Sequence, residues 1–464
     1  MKRIVSGRKI MFVSSIIVCT IIQSCKVAKP YVQPAGAAGA DLYRKAVSTD
    51  TNNIADIPWQ KLFSDASLRS LVQQGISNNP DLSIAIARIK AAAANVRQSS
   101  MALYPSLNAN AAAAFQRVPA TQFGTQEAYQ LYANSSWEAD IWGKLSSAKK
   151  AALASLLQSE AYRKAVQTQL VSDIATSYYS LLALDAQLKI TQQTVENRKR
   201  EVETMKALKE ADVVTGAAVV QSEANRYSVE ITIPDLKQNI RETENNLSIL
   251  LGKNPDTILR SSLGLQTIDT TLAAGVPLQL LANRPDVQQA EYQLRNSFEL
   301  VNVARTYFYP SLNITAAAGF SGTALSKLFL PASFFANIAG GLLQPVLDKG
   351  VNRQRLALAQ ARQEEYLASF RKTILLAGQE VSNALYSYQA ATDKQSLRSQ
   401  QIANLEKSVE YTKLLLQYSS ATNYTDVLTS EQSLLAAQLG GINDRLQQLT
   451  AVVNLYRSLG GGWK

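Results

Sequence analysis

The sequence predicts a mainly α-helical chain that also carries membrane β-strands, with one plan written twice. Three observations lead there. The phrase Tyr104-Pro105-Ser106-Leu107-Asn108 returns as Tyr309-Pro310-Ser311-Leu312-Asn313, and Pro80-Asp81 returns as Pro285-Asp286, both at an offset of 205 residues. At each Tyr-Pro the apolar period changes from that of a helix to that of a strand. Long stretches without Pro or Gly then follow, with apolar residues in sevens. An offset of that size exceeds the roughly 20–50 residues of a solenoid repeat, so it describes one large unit made twice.

The first 24 of the 464 residues differ in kind from the rest. Lys2, Arg3, Arg8 and Lys9 precede the apolar run Ile10–Ile22, which is too short to span a bilayer as a helix. Ser24-Cys25 ends it. A small residue before a Cys resembles a bacterial lipobox, which makes Cys25 the expected acylated residue and 1–24 a signal peptide. Cleavage there leaves one cysteine and no intrachain disulfide. Residues 25–66, with Pro30, Pro34 and a Gly/Ala stretch, are the expected tether. The net charge of +11 includes the four basic residues of the leader, and no basic patch interleaved with aromatics follows, so nucleic acid is not an expected partner.

The first repeat is expected over 67–255. Leu68 to Met101 has a helical period interrupted at Asn79-Pro80-Asp81, with Asp81 the expected cap. Pro has no N–H and pushes the preceding residue towards extended geometry, so a strand begins at Ser106. It is expected over 106–115, with Leu107, Ala109, Ala111, Ala113 and Phe115 on one side. A loop over 116–128 precedes a second strand at 129–138, with Leu131, Ala133, Ser135 and Trp137 on one side. Asp140-Ile141-Trp142-Gly143-Lys144 marks the return to helix. Leu145 to Leu184 then gives about 60 Å of helix at 1.5 Å per residue. Asp185, alone beside Leu181-Leu182-Ala183-Leu184, is the expected tip of a helical hairpin.

A connector is expected over 256–276 and a second repeat over 277–464. Its strands are expected at 311–319 and 334–343, and its hairpin tip at 388–394. Gln363, Leu367, Phe370, Ile374, Ala377, Val381, Ala384 and Tyr388 alternate by four and three, as do Leu435, Leu439, Ile442, Leu446, Leu449, Val453 and Tyr456. Sustained spacing of this kind predicts coiled-coil packing.

Four strands cannot close a barrel, and open edges are not tolerated in lipid. Three copies give twelve strands, which close. Tyr104, Tyr129, Trp137, Trp142, Tyr309, Phe334 and Phe335 stand at the strand ends, as an interfacial girdle would. A soluble antiparallel sheet is the competing reading of the same pattern.

Cys25, the paired Pro-Asp and Tyr-Pro-Ser-Leu phrases, Asp140–Lys144, Leu182–Leu188 and the terminal Leu459-Gly460-Gly461-Gly462-Trp463 resemble, in order and spacing, the TolC/OprM-type outer-membrane factors. The lipidated form is similar to the NodT-type efflux lipoproteins. The resemblance implies a homotrimer in the outer membrane of a diderm bacterium, with a 12-helix α-barrel in the periplasm and a shared 12-stranded β-barrel. It implies a passive duct for small molecules served by a periplasmic adaptor and an inner-membrane pump of RND type. The outer-membrane component of type I protein secretion and a structural coiled-coil lipoprotein are the alternatives. Thr422–Leu428 resembles the family's equatorial turn, and its counterpart Gly216–Val220 lacks the acidic residue.

The chain has no His, which removes Ser-His-Asp and His-ligated metal sites. No enzyme, cofactor or metal is expected. A duct must be shut until its partners dock, so a gate is expected at the hairpin tips. Asp185 is the candidate partner of Lys394 or Arg398 from a neighbouring hairpin, with Tyr388 and Asp393 beside them. A solvated Asp185 capping the next helix is the plainer reading.

Overall fold

The computed structural model describes residues 27–34, 42, 53–117, 125–267, 282–418 and 423–464. Cys25 and the leader lie outside the described residues. The helices are α1 (Trp59–Leu62), α2 (Ala66–Asn78), α3 (Pro80–Met101), α4 (Lys144–Glu210), α5 (Gly216–Glu230), α6 (Thr232–Leu250), α7 (Pro285–Thr306), α8 (Val351–Tyr418) and α9 (Tyr424–Ser458). The strands are β1 (Ser106–Arg117), β2 (Thr125–Ala139), β3 (Ser311–Gly322) and β4 (Phe334–Leu343). The chain forms two compact units, each assembled from both halves of the sequence.

Among the described residues, the first unit comprises 27–34, 88–117, 125–160 and 289–371 and holds the sheet. All four strands pair antiparallel in the order β1-β2-β3-β4. Its first hairpin is longer than the sequence suggests. Pairing continues to Arg117↔Thr125, so part of the expected loop at 116–128 is strand. A regular ladder satisfies backbone groups that a loop there would leave to water. Each strand pair returns to a helix through the same device. Asp140 accepts from the N–H groups of Leu145 and Ser146, both at 2.8 Å, with Gly143 at φ 79°. Asp348 accepts from those of Gly350 and Asn352 at 3.0 and 2.9 Å, with Gly350 at φ 83°. A carboxylate on the free N–H groups of a first turn, opposite a left-handed glycine, fixes the angle at which strand becomes helix.

Among the described residues, the second unit comprises 42, 53–87, 161–267, 282–288, 372–418 and 423–464 and is mainly helical. Its core is a stripe of α4 (Leu170, Ile174, Tyr178, Leu181) with Ile374, Ala377, Val381 and Ala384 on α8 and Ile442, Leu449, Val453 and Tyr456 on α9, all buried. Asn79, not Asp81, caps α3: its Oδ1 accepts from the N–H groups of Asp81 and Leu82 at 2.8 and 3.2 Å. Asp81 sits in the first turn, where its charge suits the helix dipole.

Neither hairpin turns where the sequence suggests. α4 runs 67 residues straight through Asp185, and α8 runs 68 through 388–394. The first turn lies at 211–215. There Val213 N–H reaches Leu208 O and Asp212 N–H reaches Lys209 O, with Asp212 at φ 56°, which is a Schellman ending. The second lies between Tyr418 and Tyr424, where Asn423 and Asp426 form a capping box for α9. Asn423 and the residues up to Leu428 are therefore the cap and first turns of this helix; Thr422 lies outside the described residues.

Candidate functional site: a two-faced sheet and a braced helical wall

The register decides what the sheet can do. Leu107 faces Ser135, Ala109 faces Ala133, Ala111 faces Leu131 and Ala113 faces Tyr129. Leu131 faces Phe320, Ala133 faces Ala318 and Trp137 faces Ile314. Ile314 faces Gly340, Ala316 faces Ile338 and Phe320 faces Phe334. Side chains alternate between faces along a strand and cross-strand partners share one. One face of the sheet is thus mainly Leu, Ile, Ala, Phe, Tyr, Trp and Gly, interrupted by Ser135 and, at the loop end opposite Phe115, by Glu127. The other carries Asn108, Asn110, Gln130, Asn134, Ser136, Asn313, Thr315 and Asn337. Asn110 Nδ2 donates to Asn134 Oδ1 at 2.6 Å on that polar face. A soluble sheet packed on a core buries its apolar face, yet here Leu107, Phe115, Ile338 and Leu342 are 64–78% exposed. Apolar out and polar in is the pattern of a strand set between lipid and a wet lumen.

Aromatics mark both ends of this band. At the helix end, Trp142 Nε1 donates to Pro310 O at 2.7 Å and its ring lies 5.0 Å from that of Tyr309. Trp137 Nε1 donates to Leu103 O at 3.0 Å beside the exposed Tyr104. At the loop end, Phe115 meets Tyr129 edge-on at 5.9 Å, Phe320 meets Phe334 at 5.7 Å, and Phe335 lies 6.0 Å from Tyr132. Trp137 and Tyr129 are eight residues apart on β2, about 27 Å of strand, close to the height of a membrane barrel's apolar band. Phe335 falls on the polar face, so it belongs to the mouth rather than to the lipid girdle.

The helical unit is braced by charges drawn from far apart in sequence. Asp185, half-buried on α4, receives Arg260 Nε at 2.5 Å and Nη2 at 3.0 Å, while Arg260 Nη1 reaches Glu244 at 2.6 Å. Arg284, in the position of Asn79 in the other repeat, grips Asp286, Glu380 and the carbonyl of Ser458 at 2.6–2.9 Å. Burial alone would pull its pKa down, but the two carboxylates outweigh it and raise it. Asp65 collects Tyr178, Ser261 and Gln266. Burial works against its charge, and these hydrogen bonds more than offset that and hold its pKa below the usual value.

A third cluster joins α4, α8 and α9. Arg198 is buried on α4, 3.9 Å from Glu431 on α9, and Glu431 also takes Lys413 of α8 at 2.6 Å. None of the Arg198 guanidinium nitrogens has a hydrogen-bond partner among the described residues. One turn away, burial and then the Glu431 charge push Glu201 up to about 7, against the pull of Arg198 and Lys413. Apart from the local Arg284–Asp286 pair, no sequence signal beyond the residue types announced these clusters, because the other partners arrive from distant segments.

Within one chain the expected gate residues are not brought together. Asp185 is taken by Arg260. Arg398 Nε donates to Asp444 at 2.9 Å, Lys394 Nζ to Gln447 at 3.1 Å, and Asp393 accepts from Gln389 at 2.9 Å. Tyr388 is half-buried on α8. Single charged residues sit inside long helices when a partner on another segment meets them, and that is why an isolated Asp did not mark a turn. Among the described residues no cluster of His, Cys, Asp or Glu could hold a metal ion.

A sequence model described as "Outer membrane efflux protein" matches residues 71–253 and 276–461. The cation efflux system protein CusC of Escherichia coli O6:H1 is 28% identical over 456 residues, which cover 96% of this chain and 98% of that one. The toluene efflux pump outer membrane protein TtgC of Pseudomonas putida is 28% identical, covering 96% and 94%. The solved outer-membrane channel OprN superposes with a TM-score of 0.88 at 26% identity, covering 95% of this chain and all of that one. Such channels work as passive ducts in the outer membrane that extend into the periplasm, and a two-faced sheet with braced helices supplies the wall that such a duct needs. The chain belongs to the outer membrane efflux protein family.

Proposed function

We propose that three copies of this chain close one duct, each lending four strands to a 12-stranded β-barrel and its two hairpins to a 12-helix wall. The observation that carries this reading is the open sheet. β1 and β4 are the outermost strands and each has one unpaired edge, while the face they share is apolar and exposed. Lipid does not tolerate such edges, and β1 of one copy against β4 of the next removes them all. The reading keeps the repeats at 67–255 and 277–464, joined by 256–276. Closure, where the duct requires it, belongs to the ends of the hairpins at 211–215 and 418–424 rather than to Asp185 or Arg398.

Cys25 is the lipid anchor in this reading. Asn302 clamps the start of the described chain by accepting from Lys29 N–H at 3.1 Å and donating to Lys29 O at 2.9 Å. Ala28 lies against Gly143, next to the Trp142 end of the girdle. Three residues of chain span at most about 10 Å, which keeps Cys25 within reach of the membrane surface.

The partners are a periplasmic adaptor and an inner-membrane pump of RND type, and the cargo is small molecules. Relatives of equal identity are named for a cation and for toluene, so the cargo is chosen by the pump rather than by the duct. That the relatives are named for efflux favours this role over type I protein secretion. Outer-membrane fractionation followed by a gel without boiling tests the reading: it predicts a high-mass band that collapses to the monomer on heating. A monomer band without boiling contradicts it.

A further inference from the structure

The connection between β3 and β4 has more structure than a surface loop needs. Residues 323–333 fold into two turns of 3-10 helix, Leu325–Lys327 and Pro331–Ser333. Ser333 Oγ donates to Lys327 O at 2.8 Å, and Ser333 N–H to Leu330 O at 2.9 Å. The segment is nonetheless apolar outward: Leu325, Phe329 and Leu330 are 64%, 66% and 49% exposed, while Leu328 is buried.

Two independent contacts show which way it leans. By register, Gly322 and Phe320 belong to the apolar face of the sheet. A Cβ built on Gly322 would point out of that face and meet the Leu328 backbone at 3.5 Å, so Leu328 covers the spot where a side chain would stand. The Phe329 ring lies edge-on to Phe320, 5.5 Å between centroids, and Phe320 itself meets Phe334 edge-on. The loop folds over the apolar face, not over the polar face that lines the lumen.

We propose that this loop is a membrane-seated foot: Leu325, Phe329 and Leu330 continue the apolar band of the barrel into the acyl chains of the outer leaflet, and the exposed Lys327 lies at its headgroup layer. The occupant is bilayer lipid, because the patch is continuous with a face already exposed to lipid and carries its one basic residue at the rim. Phe, Leu and a cation at the interface are the residues such a position favours. The foot would set how deep the barrel sits. This inference rests on the barrel reading above.

The test is spin-label accessibility of the full-length protein in vesicles of phosphatidylethanolamine and phosphatidylglycerol. A nitroxide is placed at Phe329→Cys and separately at Leu330→Cys. Ile338→Cys is the lipid-face reference and Asn337→Cys the lumen-face reference on the same strand. The unsubstituted protein, treated alike, gives the background. The expected result is an oxygen-to-nickel-complex accessibility ratio at 329 and 330 that matches Ile338 and exceeds Asn337 several-fold. A ratio at both like that of Asn337 overturns the foot and places the loop in water. Low accessibility to both reagents overturns it in favour of contact with a neighbouring copy. A water-like ratio at Ile338 itself overturns the barrel reading instead.

Discussion

Arg260 delivers both ends of its guanidinium fork to Asp185, Nε at 2.5 Å and Nη2 at 3.0 Å, and uses the remaining nitrogen for Glu244. Asp185 lies on α4, Glu244 on α6, and Arg260 in the connector between the repeats. A bidentate pair with one well-shielded partner is a brace. Asp185→Ala leaves Arg260 with one carboxylate and is expected to cost about 1–3 kcal/mol. It should lower the midpoint of thermal unfolding and leave single-channel conductance as it was. A rise in conductance at unchanged stability would return Asp185 to a gating role.

The same residues show what was legible in the sequence. The faces of β1 and β2 were readable because alternation is local, and the register then aligned all four strands into one mainly apolar sheet face. The first strand-to-helix return was readable from Asp140–Lys144. The hairpin tips were not. A helix ends where its backbone does, and the turn after Glu210 needs only Asp212 in a left-handed conformation and a Schellman pair of hydrogen bonds. Thr215-Gly216 marks the start of α5. The braces Arg198–Glu431, Arg260–Asp185 and Arg284–Glu380 were invisible for another reason: the partners lie on other segments, and no local pattern encodes such pairs.

The two faces of the sheet should respond differently to charge. Ala316 stands mid-strand on the apolar face, opposite Ser135 and Ile338, and Ala317 stands on the polar face opposite Asn134 and Asn337. Ala316→Arg is expected to cost about 2–4 kcal/mol, as a cation at the bilayer midplane does, and Ala317→Arg close to nothing. The temperature at which the unboiled high-mass band dissociates measures both. Equal effects from the two substitutions would refute the assignment of faces.

Glu201 should make stability depend on pH near neutrality. Its ordinary value is 4.5, and burial with the Glu431 charge raises it to about 7 in the folded protein, where Arg198, Lys413 and Tyr424 also face it. The folded state therefore holds the proton more tightly than the unfolded chain. The contribution is fully present below about pH 4.5 and is lost as pH rises through about 7. Glu201→Gln keeps the neutral form at every pH. It should raise the unfolding temperature at pH 8 relative to the unsubstituted protein, with the difference shrinking towards pH 4.5. A difference that stays constant from pH 4.5 to 8 would place Glu201 in water.

Acylation is expected at Cys25. Cys25→Ala should abolish incorporation of a radiolabelled fatty acid while the high-mass band persists, because the barrel itself holds the membrane. Labelling that survives the substitution would assign the lipid elsewhere.

The central claim is that the unpaired edges of β1 and β4 close against neighbouring copies, and its most direct test is the mass of the purified protein in detergent, corrected for bound detergent by light scattering. Three times the protomer mass is the predicted result. A folded species found only as monomer or dimer would leave those edges open and contradict the account.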